Sequence, residues 1–240
     1  MAGHSKFKNI MHRKGAQDKK RAKIFSRLGR EISVAVKEGG PDPDTNIRLR
    51  SAVGSAKSLN MPKDNIERAI NKSEASLNES FENLRYEGFG PFNVAFVIET
   101  LTNNKNRTAS NIRTVLQKNG GRLGENGSTT HFFFVCGVIH VPKKEFSDEE
   151  ILEIAINAGA KDCNSKHNYH EILSEKEDFY KIKNEIEKKV KSFSYSGIEW
   201  RPNNYLDISE EQTDKIIKLL ESLDEDDDIQ RVFVNCKINL

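Results

Sequence analysis

Cysteine is scarce and unpatterned: Cys136, Cys163 and Cys236 are an odd number with no pairing rhythm. That argues against a disulfide framework and fits reduced thiols in a cytosolic protein. Long hydrophobic runs are missing. The longest, VAFVI at 94–98 and FFFVCGVI at 132–139, are far too short to cross a bilayer as a helix. The basic start lacks the apolar core of a signal peptide, and Gly3, Gly15 and Asp18 suit a mitochondrial presequence poorly. The expected location is therefore the cytoplasm, with no membrane partner. An overall excess of charge is absent too: 38 Lys and Arg face 36 Asp and Glu, a net of +2. With 36% hydrophobic and 31% charged residues in 240, the chain is polar for one large core and suits several small domains.

The overall balance conceals a polarity along the chain. The first thirty residues hold ten Lys or Arg and one acid, Asp18. Residues 1–72 carry a net +10 and residues 73–240 a net −8. A basic head on an acidic body is the electrostatic footprint of a protein that lays one end on a polyanion. Residues 1–14 read as an extended basic arm. From 16 to 37 the pattern is helical: Ile24, Phe25, Leu28, Ile32, Ala35 and Val36 fall within an arc of roughly 120°. Lys19, Lys20, Lys23, Arg27, Arg30 and Lys37 fall opposite. Gly39 and Gly40 stop this helix, and Asp42 or Asp44 is a ready cap for a second over 46–59. Pro62 suits the first turn of a third, with Ile66, Ala69 and Ile70 inward. SEASLNES is a polar linker.

The body opens with YEGFGPFN, read as a turn into the strand NVAFVIETL. A helix over 106–118 capped by Asn106, a loop GRLGENG and a strand STTHFFFV follow. Next come a strand GVIHVP, a helix with Ser147 and Glu150 in capping-box spacing, two short strands, a helix and the strand SGIEWRPN. That is βαββαβ, a ferredoxin-like layer. After Pro202 a helix and the strand IQRVFVNCKI complete a second such unit, less one hairpin strand. The expected fold is α+β and multidomain. A three-helix domain spans 1–75, a discontinuous α+β domain 81–135 plus 205–240, and an inserted βαββαβ domain 136–204. A single long mixed sheet is the alternative.

Candidate phosphate contacts are Lys6, Lys8, Arg13, Lys14, Lys19, Lys20, Lys23, Arg27 and Arg30, with Arg48 and Arg50 on the second helix. Phe7, a lone aromatic amid these basic residues, is of a type that can stack on a base. Lys105 and Arg107, in a polar turn before a helix, offer a secondary phosphate contact. Lys63, Asn65 and Arg68 on the third helix can meet base edges, but Asp64 and Glu67 beside them oppose phosphate. Cys163, His167 and His170 invite a metal, yet the spacing lacks a second cysteine and straddles a hairpin, so no metal is expected. GFGPF precedes a strand and is no dinucleotide fingerprint. The five acids 224–228 read as a solvated helix-to-strand turn in preference to a cation site. No nucleophile, base and orienting acid stand at telling spacing, so neither catalysis nor a cofactor is expected.

MAGHSKFKNIMHRKGAQDKKRAKIF, GGPDPDTNIRLRSAV, NMPKDNIERAI, YEGFGPF, NKNRTASNIR, GGRLGENGS and LDEDDDIQRVFVN together resemble the YebC/PmpR family, in family order and over nearly the full length. The resemblance implies a cytosolic three-domain protein, helical then twice α+β, around a cleft. It implies a non-enzymatic transcriptional regulator binding DNA near promoters. Relatives that include mitochondrial translational activators act on the ribosome, which keeps open ribosomal or transfer RNA as the target. The chain departs from the family at Phe7, where Trp is usual, at GPFN, where a small-residue turn is commoner, and at STTHFF. A protein-binding adaptor using the acidic body is the reading from another class.

Overall fold

The computed structural model describes residues 17–75 and 81–238. Three helices come first: α1 (Gln17–Gly39), α2 (Ile47–Ser58) and α3 (Lys63–Ala75). Ile32, Ala35 and Val36 of α1 bury against Leu49, Ala52 and Ala56 of α2, with Met61 and Ile66 closing the core. One side chain joins the first two helices. Asn46 accepts from the Leu49 N–H at 3.0 Å, capping α2, and donates to the carbonyls of Ala35 and Gly40 at 2.6 and 2.8 Å. This replaces the expected cap at Asp42 or Asp44, because Asp42 instead accepts from the Asp44 N–H inside the turn. Gly40 has φ +86° and its N–H bonds Val36, so the left-handed turn that ends α1 also delivers its carbonyl to Asn46.

The first sheet comprises β1 (Glu82–Phe89), β2 (Ala95–Thr102), β3 (Arg122–Leu123) and β8 (Ile229–Val234), in the order β3-β1-β2-β8. The first half of the segment read as a turn is thus strand: Tyr86 to Phe89 pair with Ile98 to Ala95. Glu82, Arg85 and Glu87 masked it, since a strand with so many charges shows no apolar alternation. The actual turn is Gly90 to Asn93, with Phe92 and Asn93 at positive φ. Helix α4 (Lys105–Lys118), capped by Asn104 rather than Asn106, packs on this sheet with α7 (Glu210–Asp224). Phe96, Ile98, Ile112, Leu116, Leu219 and Val234 form the core between them.

The second sheet comprises β4 (Phe133–Pro142), β5 (Asp162–Ser165), β6 (Tyr169–Glu175) and β7 (Tyr195–Pro202), in the order β5-β6-β4-β7. With α5 (Asp148–Ala158) and α6 (Phe179–Glu187) it is a βαββαβ layer in ferredoxin-like strand order. Ile139, Val141 and Ile172 meet Ile151, Phe179 and Ile186 in its core. The first sheet has the same spatial order, except that the strand beside β3 is β1, supplied from ahead of the unit.

STTHFFFV does not serve as a strand of the first sheet. Residues up to Phe132 are turn and 3₁₀ helix, and β4 is one ten-residue strand of the second. The physical reason is Glu87, which is buried and accepts from the N–H groups of Gly127, Thr129 and Thr130 at 2.8–3.0 Å. A carboxylate that collects three backbone donors curls the segment around itself. The chain divides into two compact units, Phe133–Arg201 and the residues on either side of it.

Candidate nucleic-acid interface

The acidic run at the end of α7 does not behave as a solvated turn. Asp228 is buried, and its carboxylate takes four side-chain donors. Oδ2 accepts from Arg107 at 2.6 Å, Thr108 at 2.8 Å and Thr102 at 3.0 Å, and Oδ1 accepts from Arg30 at 2.7 Å. Burial pushes its pKa up, but these hydrogen bonds outweigh burial and hold it below the usual carboxylate value. Arg27 donates to the Asp224 carboxylate at 2.6 Å and to the carbonyls of Asp224 and Asp226 at 2.8 and 3.2 Å. A cation at a helix C-terminus satisfies carbonyls that the helix leaves open. Five consecutive acids are therefore the socket for α1, with charge on both sides of the joint.

This alters the expected ridge. Lys6, Lys8, Arg13 and Lys14, with Phe7, lie outside the described residues. Lys19 and Lys20 stand in the first turn of α1. Lys23 is half-buried, and burial together with Arg27 lowers its pKa despite the nearby acids. Arg27 and Arg30 are held by the acidic run rather than presented freely. Arg48 forks onto both oxygens of Glu31 at 2.8 and 3.1 Å and reaches Glu38 at 2.6 Å, so its charge is compensated inside the helical region. Arg50 donates to the carbonyls of Pro43 and Asp44. Lys105 is exposed at the start of α4, and Arg107 is drawn back onto Asp228.

A different cationic surface takes shape. Helices α1 and α3, Phe81 ahead of β1 and the β2–α4 turn enclose a cleft of about 630 Å³. Arg30, Lys37, Arg68, Lys72 and Arg107 line it, and no carboxylate does. Arg68 and Lys72 stand four residues apart, one turn of α3, and are exposed. Asp64 and Glu67, the acids that spoke against this helix, are not part of the lining, and Glu67 pairs with Lys63. Lys37 and Lys72 were not among the expected contacts, and Arg68 was expected only at base edges. The available signal was the 65-68-72 spacing of α3, which aligns two cations with Asn65 on one face.

The cysteine and histidines considered for a metal do not converge. His170 is buried, with Nδ1 2.8 Å from the Ser165 hydroxyl and Nε2 3.0 Å from the Phe146 carbonyl. His167 bonds Asn168. Among the described residues no three His, Cys, Asp or Glu side chains are grouped to hold an ion. No helix among them is long and apolar enough to cross a membrane.

Comparison with known proteins gives a consistent result. Residues 5–76 match the model for the TACO1/YebC protein N-terminal domain, and residues 81–236 the model for the TACO1/YebC second and third domain. A probable transcriptional regulatory protein of Pelagibacter ubique (strain HTCC1062) is 50% identical over 235 residues, 98% of either chain. Another, of Zymomonas mobilis subsp. mobilis, is 48% identical over 239 residues, 100% of this chain and 96% of the relative. The crystal structure of a conserved hypothetical protein from Aquifex aeolicus superimposes with a TM-score of 0.84 at 42% identity, covering 95% of this chain and 98% of that one.

Proposed function

The chain belongs to the TACO1/YebC family, and from that premise we propose that it is a non-enzymatic cytoplasmic regulator of gene expression that binds nucleic acid through its basic N-terminal third. The observation that carries this reading is the cleft lined by five cations and by no Asp or Glu, four of the five lying within residues 1–72, which carry a net +10. Promoter DNA is the target that the relatives' printed names favour. The proposed division of labour follows the three segments: 1–75 grips phosphate, while 81–135 with 205–240 and the inserted 136–204 form the acidic body available to a protein partner. Lys19, Lys20 and Lys23, with Lys6, Lys8, Arg13 and Lys14 before them in the sequence, add positive charge ahead of the cleft residues of α1.

A second reading, binding to ribosomal or transfer RNA, rests on a specific observation. The cations surround a concavity, and Arg27 and Arg30 are tied to the acidic run rather than aligned for a duplex backbone. Fluorescence anisotropy against salt tests the common claim. With six or more phosphates neutralised, affinity falls by ~10³ or more between 50 and 200 mM salt. Replacing Lys19, Lys20 and Lys23 with Ala weakens binding at least about tenfold and lowers the salt slope, the circular dichroism spectrum being unchanged. A flat salt response with unaffected binding would overturn the proposal and leave the adaptor. Crosslinking in cells, followed by sequencing, separates promoter DNA from ribosomal or transfer RNA.

A further inference from the structure

We propose that the cleft between α1 and α3 receives unpaired nucleotides, a base with its flanking phosphates, rather than the surface of a duplex. The proposal deepens the nucleic-acid reading and rests on it. Its size of about 630 Å³ falls in the range of small-ligand sites, while a protein that reads the bases of a duplex does so with a protruding element that enters a groove. A paired strand cannot carry a base to the floor of a concavity; an unpaired one can, because it bends and its base swings out.

The lining supplies both kinds of contact such a guest needs. Lys37, Arg68 and Lys72 provide charge for phosphate, and Arg30 and Arg107, whose charge Asp228 compensates, add oriented N–H donors. Flat groups are there as well. Phe25 and Phe81 reach the cleft, and the Arg30 guanidinium lies 5.7 Å from the centre of the Phe81 ring. Aromatic rings and guanidinium planes are the surfaces on which free bases stack. Asn65 on one side and Asn103 on the other bring amides that can meet a base edge. Ser33 and Ser73, 2.7 Å apart, add hydroxyls.

Two of the cations are fixed in advance. Asp228 holds Arg30 through Nη1 and Arg107 through Nη2, orienting both guanidinium groups before any ligand arrives. Asp228 is a positioning residue in this scheme. Arg68 and Lys72 are the long, exposed cations on the opposite wall, with no ion pair among the described residues.

The test uses the full chain and labelled ten-nucleotide probes of one sequence: single-stranded RNA, single-stranded DNA and the corresponding duplex. The expected result is single-strand binding about tenfold or more tighter than duplex binding. Arg68→Gln with Lys72→Gln, whose side chains make no ion pair among the described residues, lowers single-strand affinity about tenfold and duplex affinity by a clearly smaller factor, since a duplex meets them through phosphate alone. Phe81→Leu keeps apolar bulk but removes the ring. It lowers single-strand affinity about fivefold or more and leaves competition by inorganic polyphosphate unchanged. Preference for RNA or for DNA among the single strands identifies the source of the guest, and either outcome supports the site. Equal binding of duplex and single strand, or equal loss of both in the double variant, overturns the cleft and leaves nucleic-acid binding standing. Failure of every probe to bind overturns the parent reading as well.

Discussion

Asp228 and Glu171 show how single carboxylates shape this molecule. Each is buried, and each is kept ionised by its neighbours. Burial pushes the Glu171 pKa up, but His140 and Arg201 prevail and hold it down to about 2. Asp228 is likewise held below its ordinary value by Arg107, Thr108, Arg30 and Thr102, against the effect of burial. A folded-state pKa below the unfolded one stabilises the fold above the unfolded value, near 4, and that contribution disappears as pH falls through the folded value. The urea midpoint therefore declines between about pH 4 and pH 2. Asp228→Asn removes a charged partner from two partly exposed arginines and costs about 1–3 kcal/mol at neutral pH, read from the same midpoint, with a shallower acid limb. An unchanged midpoint would mean that the acidic run is not the socket for α1. None of this was legible beforehand. A five-acid stretch was visible, but which acid faces inward depends on Thr102, Thr108 and Arg30, which are 120 to 198 residues away in the chain.

At the scale of elements, apolar spacing revealed the helices well. The inward arc of α1 and the Ser147–Glu150 capping box were legible because they are local. Ser209 and Gln212 form the same box at the start of α7 and carry the same signal. The cap of α2 was misread because its best feature is tertiary: Asn46 bonds Ala35 and Gly40 as well as its own helix. The two caps should thus differ in worth. Ser209→Ala costs about 1 kcal/mol in thermal or urea unfolding, whereas Asn46→Ala costs about 2 kcal/mol or more, since it also strips the donor from a buried carbonyl of α1. Equal losses would show that the link between helices contributes nothing. β1 escaped notice because charge alternates along it. β3 escaped because two residues make no pattern. The cleft was half legible: its cations are in the sequence, but their convergence depends on how α3 packs against α1.

At the scale of the whole molecule, each of the two units carries one buried thiol reporter. Cys136 lies in the unit Phe133–Arg201 and Cys236 in the other, and both are buried. Burial pushes the Cys136 thiol up to about 11 and the Cys236 thiol up to about 12. Cys163 is half-buried and less shielded, and burial raises its pKa too. With a maleimide at pH 8, Cys163 is modified first, and the other two react only as denaturant opens their own units. Peptide mapping of the adducts checks the order. Rapid modification of Cys236 in the native protein would show that the β8 end of the first sheet opens easily.

The joint between α1 and the acidic run has a temporal side as well. Arg27 and Asp224 are 197 positions apart, and β8, which follows directly, fills the edge of the first sheet beside β2. A chain emerging from its own synthesis displays the basic helices early, with Arg27, Arg30 and Arg107 still lacking the carboxylates that will hold them. Only the final residues draw those arginines into place and finish the wall of the cleft. A product cut short before residue 224 therefore keeps its positive charge and its general attraction for polyanions, yet never acquires the shape that would make that attraction selective.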